Sequence, residues 1–278
     1  MEGKNPADNK FSNGNPYYLV KFLDRNWAEK MLDGEIFMRS ISCFGDLANR
    51  SADANNQFRG DTLEGFSRSY GNGVGLIDVL TYREKLYCMY ALEYDENNKR
   101  IISPDPRIKD FGDTAVVIGD PMAFLRRICT AMDSRFGNEF WTSFMRVKYD
   151  VDWTENKAYT EFSKSAEYSW QNEFRIVLDL ALGKFHPKVM EDVTDCARMT
   201  FPGKIVIDTN PDSLADSLVL NIGDIRDICV AIPTMELLLN NESDSILTDG
   251  FPAPTNIYPL IVPRQPKPTF FRAAVKLP

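Results

Sequence analysis

The segment that most constrains the fold is Tyr168-Ser169-Trp170-Gln171-Asn172-Glu173-Phe174-Arg175-Ile176-Val177-Leu178-Asp179-Leu180. Read as a β-strand, it sorts by a period of two. Phe174, Ile176, Leu178 and Leu180 share one face, which is a core face. Gln171, Glu173 and Arg175 share the other, a row of amide, carboxylate and guanidinium beside Tyr168 and Trp170. Such a row opposite a strong apolar row fits the wall of a cleft. It equally fits an exposed sheet face on which Glu173 and Arg175 form a surface ion pair. The residues alone leave both readings open.

The chain opens on a compact unit whose boundaries each have a local cause. Tyr17 to Phe22 reads as a strand. Asp24 is placed to cap a helix running through Leu32, with Trp27 and Met31 one turn apart. Gly34 is the stop signal, and Glu35 to Ser40 returns as a second strand. Further on, Lys85 to Tyr94, Thr114 to Ile118, Val147 to Val151, Glu173 to Leu180 and Lys204 to Ile207 read as strands. A helix is expected from Asp120-Pro121 to about Phe136, capped by Asp120, started by Pro121 and closed by Gly137. Pro211 to Asp216 reads as a short helix, and Leu218–Ile222 with Ile225–Ile232 as a hairpin about Gly223-Asp224. Cys43 to Tyr70 reads as polar and irregular. Gly71-Asn72-Gly73-Val74-Gly75 is a turn without a following helix, hence no phosphate loop.

Many strands and few helices, without β-α-β alternation, predict an α+β fold with a mixed, mostly antiparallel sheet. Residues 1–16 read as a disordered arm, 17–250 as one domain, and 251–278 as an extended Pro-rich tail.

Composition removes several classes of function. The 278 residues carry a net charge of −8, so general nucleic-acid binding is disfavoured and a protein partner is favoured over a nucleic acid. No apolar run approaches a membrane span, and the N-terminus lacks the apolar centre of a signal peptide, so a cytoplasmic protein is expected. The five cysteines, Cys43, Cys88, Cys129, Cys196 and Cys229, are scattered and odd in number. They point to reduced thiols and offer no zinc set, so no metal is expected. The single histidine, His186, reads as a turn residue, which turns attention to carboxylates and hydrogen bonds.

Three segments carry polar groups with no evident structural need: Lys21, the run Arg39-Ser40-Ile41-Ser42, and Gln171-x-Glu173-x-Arg175. Brought together, they suit an anionic ligand with a ribose. A guanidinium clamps phosphate through paired hydrogen bonds, and Tyr17, Tyr168 or Trp170 can stack on a flat ring.

These residues resemble the ADP-ribosyltransferase superfamily. Its members share a strand–helix–strand opening like Tyr17–Ser42 and a later strand with Gln or Glu, one residue, then the catalytic Glu, matched by Gln171-Asn172-Glu173. Lys21 stands where that family usually has Arg or His, and Ser40 and Ser42 are the candidates for its serine motif. The chain also resembles, over about residues 17–230, an uncharacterised family of bacterial and phage proteins. That resemblance rests on the loop Gly60-Asp61-Thr62-Leu63-Glu64 and on a Lys…Trp-x-x-Glu-aromatic-Arg signature, here Lys164, Trp170, Glu173, Phe174 and Arg175.

The resemblances imply an ADP-ribosyltransferase or other NAD-processing protein in a phage–host conflict, acting as toxin or defence. Glu173 would stabilise the ribosyl cation, Gln171 would orient the acceptor, and Lys21 or Arg39 would hold the pyrophosphate, with Arg175 nearby. Two other classes are compatible with the residues. One is a non-catalytic binding module, an inhibitor or sensor. The other is a metal-dependent nuclease in which Asp61 and Glu64 join Glu173.

Overall fold

A computed structural model describes residues 17–41, 43, 66–70, 74–78, 84–95, 97–137, 140–151, 161–180, 215–239, 260–262 and 272–276. Strand β1 (Tyr17–Leu23) is apolar on both faces except at Lys21, which suits a central strand. It is flanked by β5 (Glu84–Asp95) and β7 (Thr114–Ile118), both antiparallel to it. Strand β11 (Glu173–Leu180) is buried along its whole length because β5 covers one edge and β8 (Phe140–Arg146) the other. The main sheet has ten strands, and its path runs β13 (Cys229–Pro233), β7, β1, β5, β11, β8, β14 (Leu260–Val262). Strand β2 (Glu35–Ser40) joins β5 and carries β12 (Ser217–Asn221) on its other side. The N-terminal unit therefore belongs to the same sheet as β11. The molecule is α+β and its main sheet is antiparallel, as the residue pattern predicts.

The helices lie where their caps place them. In α2 (Pro121–Phe136) the Asp120 carboxylate accepts the Ala123 N–H at 2.8 Å, and Gly137 ends the helix at φ 59°. In α1 (Arg25–Leu32) the Asp24 side chain makes no cap bond, and its carbonyl accepts from Trp27 and Ala28 instead. Gly34 follows at φ 93°, a backbone that favours glycine. The large core lies on one sheet face, where Phe124, Ile128 and Met132 of α2 pack with Leu19, Met89, Phe174, Ile176 and Leu178. A smaller core on the other face holds Tyr18, Val20, Tyr90, Leu92 and Ile108. A short helix, α3 (Thr234–Leu239), contributes Leu237 to it.

Several expectations need correction. Tyr168 to Gln171 is not strand: Ala166–Gln171 forms a 3-10 helix, Asn172 takes a left-handed conformation, and the strand begins at Glu173. Ser217–Asn221 and Cys229–Pro233 do not form a hairpin, since β12 pairs with β2 and β13 with β7. The stretch expected to be irregular contains β3 (Phe66–Tyr70), which pairs with β4 (Val74–Asp78). The Pro-rich tail contributes β14 to the main sheet and β15 (Arg272–Lys276) to β4. Residues 1–16, the loop 60–64, the strand expected at 204–207 and His186 lie outside the described residues. No helix among the described residues is long and apolar enough to cross a membrane.

Candidate functional site

The site forms where the sheet forks. Strand β1 pairs with β5 through Tyr17–Val20 opposite Tyr90–Glu93. Strand β2 uses the same edge of β5, through Arg39 and Ser40 opposite Leu86 and Lys85. The registers leave Tyr87, Cys88 and Met89 between the two. Lys21 reaches into this gap, where its Nζ donates to the Cys88 carbonyl at 2.5 Å and lies 4.7 Å from the centre of the Tyr87 ring.

A cleft of about 480 Å³ opens at the fork. The alternation of β2 turns Glu35, Phe37 and Arg39 toward it and buries Ile36, Met38 and Ser40 on the other side. Strand β5 supplies Leu86, Tyr87 and Cys88, and β11 supplies Glu173 and Arg175. Trp27 and Met31 of α1, with Phe111 from the 3-10 turn Pro106–Phe111, complete the apolar wall. A smaller cavity of about 80 Å³ adjoins it and shares Lys21, Phe111, Gln171 and Glu173. Four cations, Lys21, Arg39, Lys164 and Arg175, face two carboxylates, Glu35 and Glu173. A chain of net charge −8 thus carries a locally cationic cleft with aromatic walls.

Glu173 is the centre of a buried polar cluster. Arg175 Nε donates to Glu173 Oε2 at 2.7 Å, and Lys164 Nζ donates to Glu173 Oε1 at 2.8 Å and to Gln171 Oε1 at 2.7 Å. Lys164 lies on β10 (Ser163–Ser165), which pairs with β9 (Lys148–Val151). The Tyr149 hydroxyl of β9 accepts the Glu173 N–H at 2.7 Å. Arg175 Nη1 donates to the Glu161 carbonyl at 2.6 Å, which anchors the guanidinium from behind. Burial opposes ionisation of Glu173, but Arg175 and Lys164 outweigh it and hold its carboxyl well below the usual carboxylate range. The Tyr149 phenol is pushed far up, by burial first and by the Glu173 charge second. The surface ion pair that the residue pattern allowed is therefore a buried one: Arg175 is 2% exposed and Lys164 1%.

The structure brings Lys21, Arg39, Gln171, Glu173 and Arg175 to one cleft. Ser40 is not among its walls: it is buried, accepts from Lys85 Nζ at 3.0 Å and donates to the Ala215 carbonyl at 3.1 Å. Tyr17 lies four residues before Lys21 on β1, ~13 Å away at about 3.3 Å per strand residue, and its ring packs on Phe174. Tyr168 is not a wall residue either; Lys164 Nζ lies 4.9 Å from its ring centre. Trp170 packs against Phe111 with the rings tilted by 42° and their centres 5.7 Å apart, and it lies under the Arg107 guanidinium. Ser42, Asp61 and Glu64 lie outside the described residues. The wall residues that the sequence reading did not assign to the site include the aromatic Trp27, Phe37, Tyr87 and Phe111, the carboxylate Glu35 and the cation Lys164. Trp27 is 47% exposed while Met31, one turn further on, is buried. Among the described residues no group of three or more His, Cys, Asp or Glu is gathered as for a metal ion.

No protein-family model, curated protein or solved structure matches the chain.

Proposed function

We propose that the fork cleft binds NAD and that the protein cleaves its nicotinamide–ribose bond, passing ADP-ribose to an acceptor. The observation that carries this reading is Glu173. Its carboxylate is kept ionised and oriented by Lys164 and Arg175 at the wall of a cationic, aromatic cleft. Each carboxylate oxygen has two lone pairs and spends one on its cation, so each can accept from a ribose hydroxyl. A negative charge held beside the ribose stabilises the cation that forms as the glycosidic bond breaks, and it needs no reorganisation at that moment. Lys21 and Arg39 are the groups for the pyrophosphate, and Trp27, Phe37 and Phe111 offer flat apolar surface for a ring. The fork itself, with α1 bridging β1 and β2, is in keeping with an ADP-ribosyltransferase-like fold.

A second reading, a non-catalytic binding module acting as inhibitor or sensor, fits the same ion pairs, which need no reaction to exist. A carboxylate bonded to two cations can fix the arrangement of its strand and neighbours where no reaction occurs. A hydrolytic metal site is less favoured, because Glu173 already has both oxygens on cations. The setting we propose, conflict between phage and host, rests on the resemblance to bacterial and phage proteins. Calorimetric titration with NAD followed by a nicotinamide-release assay in host lysate separates the readings. Binding with release supports the enzyme, and no binding at millimolar NAD with no release leaves the binding module as the better reading.

A further inference from the structure

The cleft has two carboxylates, and their surroundings differ. Glu173 is held by Lys164 and Arg175, whereas among the described residues no hydrogen bond or ion pair holds the Glu35 side chain. The place of Glu35 follows from the pairing of β2. That strand pairs with β5 at Arg39 and Ser40, and its other end leads away to Gly34 and α1. Glu35 therefore stands at the outer end of the cleft, four residues and ~13 Å along the strand from Arg39. Phe37 lies between them on the same face, with its ring centre 5.8 Å from that of Trp27. The wall cations lie elsewhere: Lys21 in the gap of β5, Arg39 at the base of the fork, Lys164 and Arg175 on Glu173. Lys30 lies 4.6 Å from the Trp27 ring centre, but it is exposed and not a wall residue. The neighbouring strand β12 sets uncharged Asn221 opposite Glu35 and Val219 opposite Phe37.

We infer that Glu35 binds the adenosine ribose of the dinucleotide and so selects NAD over a dinucleotide that carries a 2′-phosphate there. This assignment rests on the NAD reading of the cleft and narrows its substrate class. With the nicotinamide ribose at Glu173 and the pyrophosphate at Lys21 and Arg39, the adenosine half extends along β2 toward Trp27, Phe37 and Glu35. The purine has the aromatic pair to lie on. The ribose carries two adjacent hydroxyls, each a donor, and a carboxylate has acceptors only, so one Glu35 side chain can take both. A 2′-phosphate removes one of those donors. It also brings a charge of about −1.5 to −2 to a stretch of wall formed by Glu35, Phe37 and Trp27, where like charge meets it.

The test is calorimetric titration of the full chain with NAD, NADP and nicotinamide hypoxanthine dinucleotide, which lacks the 6-amino group of adenine. The natural chain should bind NAD about tenfold more tightly than NADP, as for the loss of one charge-assisted hydrogen bond, and the hypoxanthine dinucleotide as tightly as NAD. Glu35→Gln, which removes the charge from an exposed strand position, should bring the NADP and NAD constants close together. Glu35→Lys should reverse the preference. The ratio of the two constants is taken within each protein, so a loss of folded protein does not shift it. NADP binding as tightly as NAD to the natural chain overturns the role of Glu35 and leaves the NAD reading standing. A ratio unmoved in both variants overturns that role too. Weaker binding of the hypoxanthine dinucleotide that disappears in Glu35→Gln moves the contact to the base and overturns the ribose assignment. No binding of any of the three overturns the NAD reading and the role of Glu35 with it.

Discussion

Lys164 Nζ sits 2.8 Å from Glu173 Oε1 with the lysine buried and the carboxylate 11% exposed at the cleft wall. Burying two charges costs several kcal/mol each, and the pair persists because every partner is supplied. Gln171 takes a second Lys164 donor, and Arg175 takes the second Glu173 oxygen. Glu173 is the hub of the cluster: removing it leaves two buried cations facing a neutral group, whereas removing Lys164 leaves the carboxylate on Arg175.

The first prediction follows from that interdependence. Lys164→Met should destabilise the protein by up to about 3 kcal/mol, since it takes one of two cations from a buried carboxylate and leaves Arg175 as the other. Glu173→Gln should cost a comparable amount. The double variant should cost less than the sum by 1 kcal/mol or more, on the order seen for coupled contacting residues. Urea unfolding of the four proteins measures this, and strict additivity would show that the pair does not interact.

A second prediction concerns acid. Glu173 has a folded-state pKa below its unfolded value, through Arg175 and Lys164 acting against burial. A depressed carboxylate contributes stability that is present above its unfolded pKa, near 4.3, and is lost as pH falls through the folded value. Unfolding free energy should therefore fall steeply below about pH 4.5. In Glu173→Gln the same limb should be flatter. Melting curves between pH 6 and pH 3 read this directly; parallel limbs in the two proteins would count against it.

Much of this arrangement was legible in the residues, and the failures have identifiable causes. The period of two located β11 and its apolar face, because Phe174, Ile176, Leu178 and Leu180 do face the large core. Caps located α2, because Asp120, Pro121 and Gly137 act only through neighbours in the chain. The same periodicity carried the strand too far back, since Tyr168 to Gln171 winds into a 3-10 helix and the break at Asn172 is a left-handed residue that no alternation reveals. The hairpin about Gly223 failed because pairing partners are chosen by the whole sheet. Turn chemistry was right there: the Asn221 side chain accepts the Gly223 N–H, but the flanking strands pair elsewhere. Strand β8 was missed although Phe140, Thr142 and Phe144 alternate inward, because Thr142 interrupts the apolar pattern and satisfies its hydroxyl on the Val177 carbonyl. The fork between β1 and β2 depends on pairing both with β5, a long-range choice that no local pattern encodes.

A third prediction tests the base of the fork. Gly34 has φ 93°, and a Cβ there would run into the Gly223 backbone. The Gly34 carbonyl also accepts the Ile222 N–H at 2.9 Å, which ties the turn after α1 to the end of β12. Gly34→Ala should destabilise by more than about 1 kcal/mol, since both backbone strain and a backbone clash oppose it. Gly137→Ala should cost less: its φ is also positive, but nothing lies within 4 Å of the added carbon. A denaturation midpoint for Gly34→Ala equal to or above that of Gly137→Ala would contradict this account of the turn.

The last prediction separates binding from chemistry within one cleft. Glu173→Gln keeps the shape and hydrogen-bonding capacity of the side chain but removes the negative charge proposed to face the ribosyl cation. Loss of one such preorganised group should slow nicotinamide release on the order of 10²–10³-fold, with only a modest change in NAD affinity. Lys21 and Arg39 stand on β1 and β2, at opposite sides of the fork, and would touch the pyrophosphate before any bond breaks. Lys21→Ala or Arg39→Ala should therefore weaken NAD binding and raise KM, with a smaller effect on kcat. Lys21 also donates to the Cys88 carbonyl in the gap of β5, so its loss should lower stability, whereas exposed Arg39 should not. Calorimetry, initial rates and melting curves on the three variants give the full pattern. Equal loss of kcat in all three, with affinity unchanged, would show that the cations act in the transition state and would reverse the assignment of roles.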